Sequence, residues 1–180
     1  MEEQFVEENV KSRLILSGIK ELEDHGLTDF SLRRAAVAAQ VSCAAPYRHF
    51  KDKEEYISEI IKYVNSRWEL LSCEIERIHS SDPARLAYEM SIAALRFRIA
   101  NKNFRSVFNL AATAGHGELL DRSLILAIKS YCLYKNISDK ETEHKVYTVR
   151  AFIAGTLMLL GDDVQKVLSN AQAFLLTQFK

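Results

Sequence analysis

Proline and glycine are scarce in this chain, two and six among 180 residues. Few positions can therefore break a helix or turn tightly, which argues against many short strands and for long helices. No run of about 18 apolar residues occurs, so no membrane-spanning helix is expected. The opening segment, MEEQFVEENV, is acidic and unlike a secretory signal. The three cysteines, Cys43, Cys73 and Cys132, are odd in number and lack metal-ligand spacing, as suits reduced thiols in a cytoplasmic protein. There is no glycine-rich phosphate loop, and no serine, threonine or cysteine stands in a nucleophile setting. No two of the five histidines have ligand spacing on one helix face. Glu141 and His144 lie three apart, but a single such pair is a poor metal signal. No catalytic residue, metal site or cofactor is expected. Net charge is also missing, since 24 basic residues balance 24 acidic ones.

Against that neutral background, positive charge collects in one place. From Ser31 to Lys53 lie Arg33, Arg34, Arg48, Lys51 and Lys53 with the single acid Asp52, a net of 5 − 1 = +4. Such local positive charge is what contact with phosphates requires. The same stretch reads as two short helices and the start of a third. Ser31 is an N-cap, followed at helical spacing by Leu32, Ala35, Ala36 and Ala39. The pattern breaks at Gln40 and Val41, and Ser42 is a second N-cap opening a helix from Cys43 to Phe50. Asp52 and Glu55 have capping-box spacing for the next helix. Two short helices with a tight turn make a helix-turn-helix, whose second helix can enter a DNA major groove. In that helix Cys43, Ala44 and Ala45 are small enough to approach base edges, and Tyr47, Arg48 and His49 carry donors. Arg33 and Arg48 are candidates for base contact, because a guanidinium can bind guanine bidentately.

The stretch resembles the DNA-binding segment of TetR-type (tetracycline-repressor-like) transcription regulators. Their pattern runs from a Ser/Thr-capped helix through an Ala-x-x-x-Gly-Val-Ser turn to a Tyr-x-His/Tyr-Phe-x-x-Lys-Glu ending. Ser31, Ala36, Val41, Ser42, Tyr47, His49, Phe50, Lys53 and Glu54 stand in matching positions, and the likeness extends from Val10 to Ile60. It implies phosphate contacts from Ser31, Ser42, Tyr47 and Lys53. Two departures stand out. Gln40 occupies the position where the family has glycine, one that favours positive φ. Pro46 falls fourth after the Ser42 cap and removes the first intrahelical hydrogen bond.

The remainder reads as helix throughout, with 48% hydrophobic residues to supply a core. An apolar stripe from Val10 to Leu22 ends at Gly26, a helix C-terminal residue. A long helix runs from Lys53 to about Ile78. Asp82-Pro83 opens another to about Ala100. Shorter helices are expected over 104–113 and 118–136, with a break at 114–117. Ser138 and Glu141 form a capping box for a helix to about Leu160, and Asp163 caps the last. The fold class is therefore all-α, with about nine helices. The resemblance implies a three-helix DNA-binding unit, residues 1–52, joined by the long helix to a unit for effector binding and dimerisation, residues 53–180. From Met1 to Glu55 there are 8 basic and 11 acidic residues, so no basic arm adds to DNA affinity.

Two further expectations concern the C-terminal unit. Its aromatic residues at helical spacing fit an ordinary core; the resemblance implies a small-molecule cavity, with Trp68, Phe97, Phe104, Phe108 and Tyr131 as walls and Arg98 and His116 as polar contacts. The last two helices carry small and apolar residues, Ala151, Ala154, Gly155, Met158, Val167, Ala171 and Phe174. These fit either an internal core or a symmetric dimer, and the resemblance implies the dimer. Together these features imply a homodimeric, cytoplasmic regulator, a repressor released from a palindromic double-stranded operator by an unknown small-molecule effector. The competing readings are a protein of this fold acting mainly through protein–protein contacts, and a helical-bundle small-molecule binder or enzyme.

Overall fold

The computed structural model describes residues 2–108, 117–160 and 163–180, with side chains from residue 9 in the first helix and from residue 121 in the sixth. All regular structure among the described residues is helical. The helices are α1 (Glu2–His25), α2 (Leu32–Ala38), α3 (Pro46–His49), α4 (Lys53–His79), α5 (Pro83–Ala100), α6 (Gly117–Tyr134), α7 (Asp139–Met158) and α8 (Val164–Gln178). Between α5 and α6 a 3-10 turn, Lys102–Phe104, leads into helical residues 105–108. That makes nine helical segments among the described residues. Of the segment expected over 104–113, residues 109–113 lie outside the described part, as do His116 and the glycine at 161.

The boundaries follow local chemistry. Asp82 accepts a hydrogen bond from the Arg85 N–H, with Pro83 at the first helical position of α5. Ser138 and Glu141 form the reciprocal capping box of α7, and Asp163 caps α8. Gly26 ends α1 at φ 70°, its N–H on the Leu22 carbonyl at 3.0 Å. Asn136 does the same for α6 at φ 55°, with Asn136 N–H on Leu133 and Ile137 N–H on Cys132.

The chain forms two compact units, Met1–Arg67 with Lys102–Leu120, and Trp68–Asn101 with Asp121–Lys180. The core of the first gathers around Tyr56, which is fully buried. Its ring stacks on Phe50 with centroids 4.2 Å apart and meets Phe30 edge-on at 5.5 Å. Its hydroxyl donates to the Leu14 carbonyl of α1. Burial pushes the Tyr56 phenol up to about 12, so it stays neutral and a donor. Lys11 of α1 adds an ion pair to Glu59 of α4 at 2.7 Å. In the second unit α5 packs on both α7 and α8. Trp68, Met90, Leu95, Ile128, Val149, Ile153 and Leu175 are among its buried side chains. Asp121, also buried, receives the guanidinium of Arg98 and, at 2.9 Å, Nε of Arg150, tying α5, α6 and α7 together.

Gly18 permits the close approach of α1 to α4. A Cβ built there would stand 2.7 Å from Ile60 Cδ1 and 3.0 Å from the Tyr56 hydroxyl oxygen. That ring is held by its stack and its hydrogen bond, so it cannot give way cheaply. Gly18→Ala should therefore destabilise the protein by up to about 2 kcal/mol, the overpacking strain of about 1–3 kcal/mol less the roughly 1 kcal/mol that alanine gains as a helix former. Thermal unfolding of the variant checks this; a raised midpoint would mean that Tyr56 can move.

Candidate nucleic-acid interface

The positive stretch folds as a helix-turn-helix, built by local rules that can be followed residue by residue. Ser31 is the N-cap of α2, extended at φ −121°, and its Oγ accepts from the Arg34 N–H at 3.3 Å. Helix α2 buries Ala35 and Ala36, whose small side chains let it lie close to α1. It ends in a Schellman turn, with Gln40 N–H on the Val37 carbonyl and Val41 N–H on Ala36, each at 3.0 Å. Gln40 takes φ 56°, the left-handed conformation that glycine adopts without cost.

The second helix is shorter than the spacing predicts. Residues 43–45 form a turn, closed by Ala45 N–H on the Ser42 carbonyl at 2.9 Å, and α3 occupies only Pro46–His49. Pro46 contributes to this, since it has no N–H to offer the Ser42 carbonyl. Arg48 N–H reaches the Ala45 carbonyl, three residues back, at 3.0 Å, and Phe50 N–H reaches Pro46, four residues back, at 2.8 Å. After α3, Asp52 caps α4 through the Glu55 N–H at 2.8 Å, and the Glu55 carboxylate returns to the Lys51 N–H.

The candidate contact residues fall into two groups. Arg33, Ser42, Cys43, Ala44, Tyr47 and Arg48 are exposed, Tyr47 with 66% of its surface open. His49 is half-buried beside Phe50. Ala45, by contrast, is buried and packs inward. Two of the cations serve the fold. Arg34 pairs with Glu21 and donates to the Asp29 carbonyl. Lys53 Nζ donates to the Leu27 carbonyl at 2.7 Å and lies over the Phe30 ring, holding the loop between α1 and α2. Among the described residues no partner holds Arg33 or Arg48. Sequence reasoning missed Glu21; an acid seven residues after Leu14, on the buried stripe of α1, was the available signal. Its carboxyl is raised by burial, but hydrogen bonds from Arg34 and the Ser31 N–H and the charges of Arg34 and His25 outweigh this and hold it below the ordinary carboxylate range. Beside it, α1 and α2 border a cleft of about 410 Å³ lined in part by Lys20, Asp24, Arg33 and Val37.

The other candidate sets are placed less uniformly. Trp68 and Phe97 pack on each other at 5.6 Å in the second unit. There too Tyr131 meets Phe179 edge-on and donates to the Lys180 carbonyl at 3.0 Å. Phe104 and Phe108 belong to the first unit. Arg98 is engaged with Asp121. On α7, Ala151, Ala154 and Met158 are exposed, in line with Tyr147. Gly155 and Val167 are half-buried, Phe174 stacks on Phe152 at 4.0 Å, and Ala171 is buried in its own unit's core. No group of three or more potential metal ligands occurs among the described residues.

No protein-family model matches this chain, and no curated protein matches it by sequence. Solved structures do resemble it. The TetR-family regulator PfmR of Thermus thermophilus matches at TM-score 0.69 and 16% identity, over 93% of this chain and 97% of its own. A TetR transcription regulator from Haloarcula marismortui gives 0.68 and 17%, over 96% and 97%. A transcriptional regulator from Rhodococcus gives 0.69 and 21%, over 94% and 95%. The chain has the TetR-family fold. Within that fold, Ser31 to Lys53 forms the helix-turn-helix that the sequence motif predicts.

Since Gln40 holds a left-handed conformation, Gln40→Gly should stabilise the protein by about 1 kcal/mol. Chemical denaturation measures this directly, and an unchanged or lower midpoint would show that the glutamine side chain compensates the strain.

Proposed function

We propose that this protein is a TetR-type, sequence-specific DNA-binding transcriptional regulator, acting as a homodimer in the cytoplasm and catalysing no reaction. The observation that carries this reading is the pair of arginines, Arg33 and Arg48, exposed with Tyr47 on a helix-turn-helix and without a partner among the described residues. Arg33 and Arg48 read base edges, while the N-terminal end of α2 and the turn before α3, with Ser31, Ser42 and Tyr47, face phosphates. Residues 1–52 are the DNA-binding part and 53–180 the effector-binding and dimerising part. The likeness to solved TetR regulators over nearly the whole chain supports this division of labour. The protein acts as a repressor: a small ligand held by the C-terminal part shifts α4, alters the separation of the two recognition helices and releases a palindromic operator.

The dimer rests on α7. Tyr147, Ala151, Ala154 and Met158 follow at i, i+4, i+7 and i+11, and all are exposed, Met158 by 87%. An apolar stripe with small residues in its middle suits close packing of a helix against its symmetry copy. No described helix is long and apolar enough to cross a membrane.

Selection of bound fragments from genomic DNA at two salt concentrations tests the function, and recovery of a palindromic site at the higher salt is expected. Tyr47→Ala should abolish binding to that site while the protein stays folded. Random fragments lost as salt rises would instead favour a protein of this fold that works through protein–protein contacts. For the dimer, Met158→Asp should shift sedimentation to the monomer and weaken operator binding at least tenfold; a dimer that persists would place the interface elsewhere.

A further inference from the structure

Glu21 is a carboxylate with only 6% of its surface exposed, yet it accepts from several donors. Its Oε1 takes the Ser31 N–H at 3.0 Å, Arg34 Nε at 2.8 Å and a second Arg34 nitrogen, Nη2. Its Oε2 lies 3.3 Å from His25 Nδ1. The same guanidinium donates to the Asp29 carbonyl. One acid on α1 thus holds the N-cap of α2, a side chain in its first turn and the loop between the two helices. Burying a carboxylate is tolerated only when it is paired and hydrogen-bonded, and here the pairing takes one of the five cations of the positive stretch. Arg33, next in the chain, is exposed and has no partner among the described residues.

We propose that Glu21 is a positioning residue for DNA binding, which fixes α2 and at the same time keeps Arg34 out of the phosphate contacts. The proposal rests on the DNA-binding reading above. It makes the interface less basic than its sequence: Arg33, Arg48 and Lys51 are exposed and Arg34 is too, with 48% of its side chain open, but the charge of Arg34 is balanced by the buried Glu21. Affinity for DNA in general is thereby held down, and base contacts gain weight relative to phosphate contacts.

Each cation that neutralises a phosphate steepens the slope of log K against log salt by about 0.9. The test is a set of salt titrations on the selected DNA site with the full-length protein and the variants Glu21→Gln, Arg34→Gln and the two combined. Arg34→Gln should leave the slope where it is. Glu21→Gln should free Arg34 and steepen the slope by about 0.9 per subunit, and the combined variant should return it to the parent value. A purely structural Glu21 would lower affinity at every salt concentration with no change of slope, which overturns the proposal. So does a shallower slope for Arg34→Gln, since Arg34 would then already touch phosphate. If circular dichroism shows Glu21→Gln unfolded, Arg34→Gln alone decides by the same criterion. A parent protein that binds no DNA at any salt fails earlier, and removes the DNA-binding reading together with this one.

Discussion

Everything in the first unit depends on the enclosure of one tyrosine. The Tyr56 ring comes from α4, is flanked by Phe30 before α2 and Phe50 after α3, and donates its hydroxyl to α1. It therefore touches every segment that positions the helix-turn-helix. Helices of seven and four residues, as α2 and α3 are, have no independent stability in water, because nucleation costs more than so few bonds return. They exist because α1 and α4 present them with a fixed surface. Gly18, on α1, lets that surface close around the ring, and Ala35, Ala36, Ala39 and Ala45 keep the covering helices near it.

Charge in this unit divides by whether a partner waits inside. Arg34 and Lys53 turn to a buried carboxylate and to a backbone carbonyl, where they stabilise the loop between α1 and α2. Arg33 and Arg48 turn outward. A run of five cations thus supplies both internal ties of the motif and exposed positive charge. The second unit uses the same device without an outward face: Asp121 is buried between Arg98 and Arg150, and the three helices they come from are held in register by one carboxylate. A group of this kind adds little net stability over a well-packed apolar core, but it penalises alternative packings that would leave a charge alone.

Apolar surface is sorted in a comparable way. In α8, Ala171 and Leu175 are consumed by the core of their own unit, and Phe174 stacks on Phe152 of α7. Among the apolar side chains left open are Leu176 of α8 and the row on α7 from Tyr147 to Met158. Internal packing and an exposed apolar row thus divide residue by residue along the same helix.

Local structure followed from the order of residues alone. Ser31, Asp52, Asp82, Ser138 and Asp163 were legible as caps and Gly26 as a helix end, because each of these rests on groups within a few residues of one another; the left-handed Gln40 was legible only through the resemblance, which has glycine there. The fold class was legible for the same reason, through the spacing of apolar positions. Packing settled which members of the positive stretch remain free. Glu21 and Arg34 are 13 positions apart, and Lys53 and Leu27 are 26 apart. Such pairs meet only after α1, α2 and α4 have packed; the sequence can mark Glu21 as an acid on a buried stripe, but it does not name its partner. Ala45 was misread on the same account, its burial being set by neighbours distant in the chain. Burial and ion pairing belong to packed surfaces, whereas caps and turns belong to the chain, and that difference of range separates what could be read from what had to be seen.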